Sequence, residues 1–273
     1  MSFPTNFSDI IAKATPTPEQ LNVMIENRRN NPSSKDKSLQ NTTLLSVWLE
    51  RCQKLGIPAI PAKFSQDIKV DEIYAALDGK PAPTVEAAAK WLKANLTHHD
   101  MWRWEQCAPM EVKEIMACGG LSYNIRKCHN FCIDDPRLID ILTDCNVSTT
   151  RVAIRPVELL KEFGSHPVEF RCYVFGESEV AVSSYYPQRG LPEFYLKYAK
   201  QAQKLALKLW PLVGEPYTAD FCLVEKFYTD EGQVEFLEGG PAWGLGAHPC
   251  CFNPNELKPG RILLAPEAGA ITH

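Results

Sequence analysis

The spacing of apolar positions changes character near residue 100. Upstream, apolar residues recur at helical intervals over residues 18–27, 43–55, 71–77 and 84–96, which predicts four helices. Gly56, followed by Ile57-Pro58, reads as the C-cap of the second, and Thr84 as the N-cap of the fourth. The polar run 30–37 reads as a loop. Downstream, strand-like runs dominate: 101–105, 151–157, 168–175, 179–186, 219–227 and 234–237, interrupted by helical spacing at 109–118, 136–143 and 192–209. Strands clustered among helices predict an α+β fold with antiparallel sheets packed by helices. The same pattern divides the chain into an N-terminal appendage (1–43), a mainly helical region (44–99) and a mixed domain (100–273), with no internal repeat.

Two of the strand runs carry acids where apolar residues are expected. Asp220 lies in YTADFCLVEKF (217–227) and Glu238 in QVEFLEGGPAW (233–243). The turn Thr229-Asp230-Glu231-Gly232 predicts an antiparallel hairpin centred near position 230, with Asp220 opposite about 240 and diagonal to Glu238. Two carboxylates aimed at one spot repel, and a hard divalent cation between them is the usual remedy. The alternative is a half-buried hairpin with two acids at its wet edge. The Gly239-Gly240-Pro241 that follows implies a sharp turn or a close approach to the backbone.

Composition narrows the field. With 29 Lys+Arg against 33 Asp+Glu in 273 residues, the chain has no general basic footprint for nucleic acid or anionic membrane. No apolar run is long enough to cross a bilayer and the N-terminus has no secretory pattern, so the expectation is a cytoplasmic protein. Ten cysteines form no Cys-x-x-Cys. The nearest metal-like groupings are Cys128-His129 with Cys132, and His248 with Cys250 and Cys251; buried reduced thiols are the simpler account.

Four cations fall in or beside strands: Arg103, Arg155, Lys161 and Arg171. The alternation of VEFRCYVF (168–175) places Glu169 and Arg171 on one face and Phe170 and Cys172 on the other, which is ordinarily a solvated face. Arginines on phosphate oxygens, with two carboxylates holding a divalent metal, are what a nucleoside triphosphate site needs when no Gly-rich phosphate loop is present. Neither GxxxxGK[ST] nor GxGxxG occurs here.

In order, VAIR (152–155), VEFRCYV (168–174), YTADFCL (217–223) and FLEGGPAW (236–243) resemble the motifs of the ATP-grasp superfamily, in particular the clade of the cell division cycle protein 123 family and its bacterial and phage relatives. RWEQCAP (103–109) is similar to a segment that carries the nucleotide-contacting lysine of that family, with Arg103 in its place. The resemblance covers about residues 100–245. It implies ATP enclosed between two α+β subdomains. Arg103 and Arg171 would act on its phosphates and serve as catalytic groups. Arg155 and the link Pro156-Val157-Glu158 would lie by the adenine, Lys161 would be a further cofactor contact, and Asp220 and Glu238 would hold Mg²⁺. Gly240 stands where the family places a metal-ligating Asn.

The activity implied is that of an ATP- and Mg²⁺-dependent ligase joining a carboxylate to an amine, on a small molecule, peptide or amino acid. The rival is an ATP-binding assembly factor with a protein partner and little turnover, and a third reading is a zinc-stabilised binding protein.

Overall fold

The computed structural model describes residues 41–112, 114, 131–145, 147–157, 160–225, 232–242 and 248–268. The helix expected at 18–27, the loop at 30–37, the acids of the hairpin turn, Cys128, His129 and Glu158 lie outside the described residues, as does most of the helix expected at 109–118.

Helix α1 (Leu45–Leu55) ends at Gly56, whose φ of 60° is the left-handed cap expected from the sequence. The short strands β1 (Lys63–Phe64) and β2 (Ile68–Lys69) lead into α2 (Val70–Leu77) and α3 (Pro83–Asn95). Thr84 is not the cap of α3. Pro83 takes the first helical position, where its missing N–H costs nothing. The Thr84 N–H and hydroxyl instead donate to Glu72 Oε2 at 2.6 and 2.7 Å, tying α3 to α2.

Next come β3 (Asp100–Trp104), α4 (Pro136–Cys145), β4 (Thr149–Thr150), β5 (Val152–Pro156), β6 (Glu162–Phe163), β7 (His166–Pro167), β8 (Glu169–Gly176) and β9 (Glu179–Ser184). A 3₁₀ turn at Glu193–Tyr195 opens α5 (Leu196–Val213), and β10 (Tyr217–Val224), β11 (Gln233–Pro241) and β12 (Ile262–Leu263) complete the chain. The long strand runs of the sequence are therefore found within a few residues of their expected bounds. The two-residue strands had no legible pattern, because two residues show no period.

The strands form two principal sheets. A five-stranded sheet has the order β11-β10-β8-β9-β12, antiparallel except for β12 on β9. One face packs on α5 and α1 through Phe170, Cys172, Val174, Ala219, Phe221, Phe236 and Trp48. β10 is central and buried along all eight residues. A three-stranded sheet, β1-β5-β3, packs Trp102, Trp104, Val152 and Ile154 against residues of α2, α3 and α4. The remaining faces of the two sheets meet at Ile60, Met101, Val157, Cys222, Val224 and Leu237. The architecture is α+β with antiparallel sheets and flanking helices. Among the described residues no helix is long and apolar enough to cross a membrane.

The β10–β11 register corrects the simple hairpin. Asp220 pairs directly with Glu238, and Thr218 with Gly240, because β11 carries a bulge: Phe221 pairs with Phe236, leaving Leu237 as the extra residue. Phe236 faces the α1/α5 core, and a Cβ on Gly239 would run into the ring of Trp48 in that core. The two residues between them, Leu237 and Glu238, therefore both turn to the opposite face. Were the strand unbulged, strict alternation through Leu237 would put Glu238 on the face of Phe236, in the core.

Candidate functional site between the sheets

The bulge completes a row across four strands of the large sheet: Ser183 on β9, Arg171 on β8, Asp220 on β10 and Glu238 on β11. Arg171 grips Asp220 bidentately, Nε to Oδ1 at 2.8 Å and NH2 to Oδ2 at 2.6 Å. Both side chains are buried. Burial works against the Arg171 charge, but the Asp220 carboxylate more than offsets it and leaves the guanidinium more firmly protonated than usual. The expectation of a solvated Glu169/Arg171 face is thus replaced by a buried one. Tyr185 lies against the guanidinium, its ring centroid 4.7 Å from Cζ, and Tyr186 donates to Glu169 Oε2 at 3.3 Å.

The small sheet faces this row. Arg103, on β3, reaches across to donate from NH1 to Glu238 Oε2. Its Nε donates to Trp104 O at 3.1 Å. Arg155, on β5, is fully buried and donates from NH1 to Leu237 O and from NH2 to Ile60 O, the latter at 2.6 Å. Burial, helped by the nearby Arg103 charge, pushes it down to about 10. Its Nε has no partner among the described residues. A residue expected near adenine therefore has two of its three guanidinium nitrogens committed to backbone carbonyls, bridging the sheets at the bulge.

The link after β5 runs alongside. Val157 is buried and its N–H donates to His99 O at 3.0 Å, while Pro156 has no N–H to give. Lys161 pairs with Glu225 (2.7 Å) at the surface, with 43% of its side chain exposed. The structure thus brings Arg103, Arg171, Asp220 and Glu238 together between the two sheets, with Arg155 bridging the sheets beside them, and leaves Lys161 at the surface.

The two carboxylates neither face one another unpaired nor sit at a wet edge: each is matched by an arginine. Three arginines (103, 155, 171) stand with three carboxylates (Glu169, Asp220, Glu238) in the region, so the protein alone is close to electrical balance there. As metal donors, Asp220 and Glu238 have the right chemistry: hard oxygens at directly paired positions on one face. Mg²⁺ typically takes one or two protein carboxylates and leaves the rest of its shell to phosphates and water, so the pair fits that ion. Among the described residues no group of three or more His, Cys, Asp and Glu converges as a self-sufficient metal set. Gly240 is on the same face, where an added Cβ would meet only Thr218 Oγ1, at 3.0 Å.

The sequence marks His248 only as a zinc candidate. Here its ring stacks edge-on against Tyr185 at 4.7 Å, its carbonyl accepts from Tyr173 at 2.7 Å and its Nδ1 accepts from the Cys250 N–H at 3.3 Å. Cys250 holds a positive φ of 54°, and burial pushes its thiol well above the usual range, so it is not a thiolate. Tyr185 and His248 come from outside the motifs, and only the alternation placing Tyr173 beside Arg171 hinted at an aromatic wall.

No family model matches the sequence, and no curated protein matches it significantly. Solved structures do match in fold. Cdc123 from Schizosaccharomyces pombe is 13% identical with a TM-score of 0.51, over 76% of this chain and 85% of that one. Its C-terminally truncated form is 14% identical, also at 0.51, over 85% of this chain and 98% of that one. The fold is therefore like that of Cdc123: α+β, with antiparallel sheets and flanking helices. A biotin carboxylase from Campylobacter jejuni, in a complex with a β,γ-ATP ligand, matches more loosely, at 15% identity and a TM-score of 0.39 over 84% of this chain and 47% of that one.

Proposed function

We propose that the cleft between the two sheets binds Mg·ATP and that the chain is an ATP-grasp-type ligase joining a carboxylate to an amine. The observation that supports this most is the row Arg171–Asp220–Glu238 closed from the opposite sheet by Arg103. It gathers guanidinium donors for phosphate and carboxylates for a divalent ion on one face.

Bound Mg·ATP would supply an electrophilic γ-phosphoryl group, which a substrate carboxylate oxygen attacks as ADP leaves and which the amine then expels as phosphate. The chain's own part is to hold and orient. Asp220 and Glu238 would hold the ion. Arg171, fixed by Asp220 and Tyr185, and Arg103, fixed by Glu238 and Trp104 O, would present donors to phosphate oxygens as the pairs loosen. By the resemblance, adenine would lie by the link Pro156-Val157-Glu158, near Arg155 and Lys161. Because the arginines are already balanced by carboxylates, a triphosphate entering without its cation would meet no net positive charge. Magnesium would therefore be required for tight binding.

A second reading, an ATP-binding assembly factor with slow or absent turnover, follows from the motif resemblance to the cell division cycle protein 123 family and is supported by the likeness in fold to Cdc123 over 76–85% of this chain and by Gly240 in place of the expected amide. The deciding experiment measures ADP formation by the full chain with Mg·ATP and pools of carboxylates, amino acids and peptides. Under the ligase reading one pool raises ADP well above the basal rate and Arg171→Lys blunts the rise. If every pool fails while Mg·ATP still binds tightly and a protein partner is captured only in the nucleotide-bound state, the ligase reading falls.

A further inference from the structure

A cleft of about 470 Å³ opens at the far end of β3, lined by Ser46, Asp67, Glu105, Ser148, Thr149 and Arg151 among others. By alternation Glu105 continues the face of β3 that carries Arg103, and its N–H still donates to Arg151 O at 2.9 Å, extending the β3–β5 ladder by one position. The cleft is therefore an extension of the same sheet face along the strand, on the side where α1 begins.

Its central feature is an arginine held rigid. Arg151 donates from Nε and NH2 to Glu105 Oε2 and Oε1 at 3.0 and 2.7 Å, and its guanidinium lies over the Phe64 ring at 4.5 Å. Glu105 is buried and is itself fixed by the Ser46 hydroxyl. One edge and one face of the fork are thus occupied, and the remaining NH1 makes no hydrogen bond among the described residues. Asp67 approaches only to 3.9 Å of Nε and is 68% exposed, a contact of little energetic weight that a ligand could open cheaply. The Ser148 and Thr149 side chains, both exposed, make no hydrogen bond to protein among the described residues.

A pre-oriented guanidinium edge facing a polar cleft is carboxylate-recognition chemistry. Charge then restricts the ligand further. Glu105, Asp67 and Arg151 leave the cleft one unit negative, so a simple carboxylate would raise the deficit, whereas a ligand carrying its own ammonium would not. We propose that this cleft binds the zwitterionic headgroup of an α-amino acid, its carboxylate on the free edge of Arg151 and its ammonium on Asp67. That the bound amino acid is the ligase's second substrate rests on the function proposed above; the binding itself does not.

The test is calorimetry or ligand-observed NMR on the full chain without nucleotide, using the free L-α-amino acids as probes. At least one should bind at millimolar concentration or better. Its N-acetyl and its carboxamide derivatives should each bind at least about tenfold more weakly. Asp67→Asn and Arg151→Lys, which keep a polar or cationic group in place, should each weaken binding several-fold while leaving Mg·ATP affinity unchanged. Failure of all the amino acids to bind overturns the proposal, as does equal binding of either blocked derivative or indifference to both variants. If an amino acid binds as expected yet never raises ADP formation, the subsite stands and its role as a substrate site falls.

Discussion

Arg171 and Asp220 show what a single residue can be asked to do here. The pair is buried, so removing one partner strands the other charge away from water, at a cost of about 3–5 kcal/mol. Arg171→Ala and Asp220→Asn are each expected to lower unfolding stability by that order in urea titrations, before any effect on nucleotide is read. Combining them should cost much less than the sum, since no lone charge remains. The function of the pair is better probed by Arg171→Lys, which keeps the charge and loses the fork; Mg·ATP affinity should drop several-fold with a smaller loss of stability. Glu238, with 15% of its side chain exposed, is the safer acid to alter. Glu238→Gln should leave the protein folded by circular dichroism and weaken its magnesium-dependent nucleotide binding.

Between elements, the glycine pair after Glu238 separates into two roles. Gly239 lies where the α1 helix presses Trp48 onto β11, and any Cβ there collides with a fully buried ring. Gly239→Ala should cost at least about 1–3 kcal/mol, and replacing Trp48 with Leu in that background should recover part of the loss. Gly240 lies on the same face as Glu238, and a Cβ there meets only the Thr218 hydroxyl, which must give by a few tenths of an ångström, so Gly240→Asn should fold with a small loss of stability and tighten the magnesium dependence of nucleotide binding. Retained folding with unchanged magnesium dependence would show that position 240 is remote from the ion. A third contact, Glu72 with Thr84, joins α2 to α3. The hydrogen bond from the Thr84 N–H, followed by that from its hydroxyl, holds the Glu72 carboxyl below its ordinary value. A depressed folded-state value means that the contribution is complete above the unfolded value of 4.5 and fades as pH falls below it. The stability gap between wild type and Glu72→Gln should therefore be widest near neutrality and close on acidification below about 4.5, measured by thermal melts across pH.

Across the whole molecule, the two sheets meet through a modest apolar cluster and through Arg103 and Arg155, so a ligand lying between them should act as a clamp. Mg·ATP at about 100 times its dissociation constant should add about 2.7 kcal/mol to stability. Chelating the magnesium should abolish most of that gain, and Glu238→Gln should blunt it. A nucleotide that stabilises equally well with and without magnesium would count against the metal assignment.

How much of this was written in the chain follows from what each signal depends on. The long strands, the left-handed cap at Gly56 and the mixed α+β architecture were legible, because alternation, helical spacing and glycine's freedom at positive φ are local properties. Arg103, Arg171, Asp220 and Glu238 also stand out in the sequence as charged residues inside apolar runs, which makes them candidates and no more. Their partners were not legible. Arg171 meets Asp220 from 49 positions away and Arg103 meets Glu238 from 135, and such distances are set by which strands become neighbours. A one-residue bulge, invisible to alternation, decided that Glu238 faces the small sheet and sits directly opposite Asp220. Burial converted an expected solvated face into a paired one, because the second sheet covers it, and turned Arg155 into a bridge to the Leu237 and Ile60 carbonyls. The sequence by itself determined which side chains carry charge and which segments extend; only the packing of two sheets decided which charges meet, since electrostatic partnership depends on distance in space and on the loss of water.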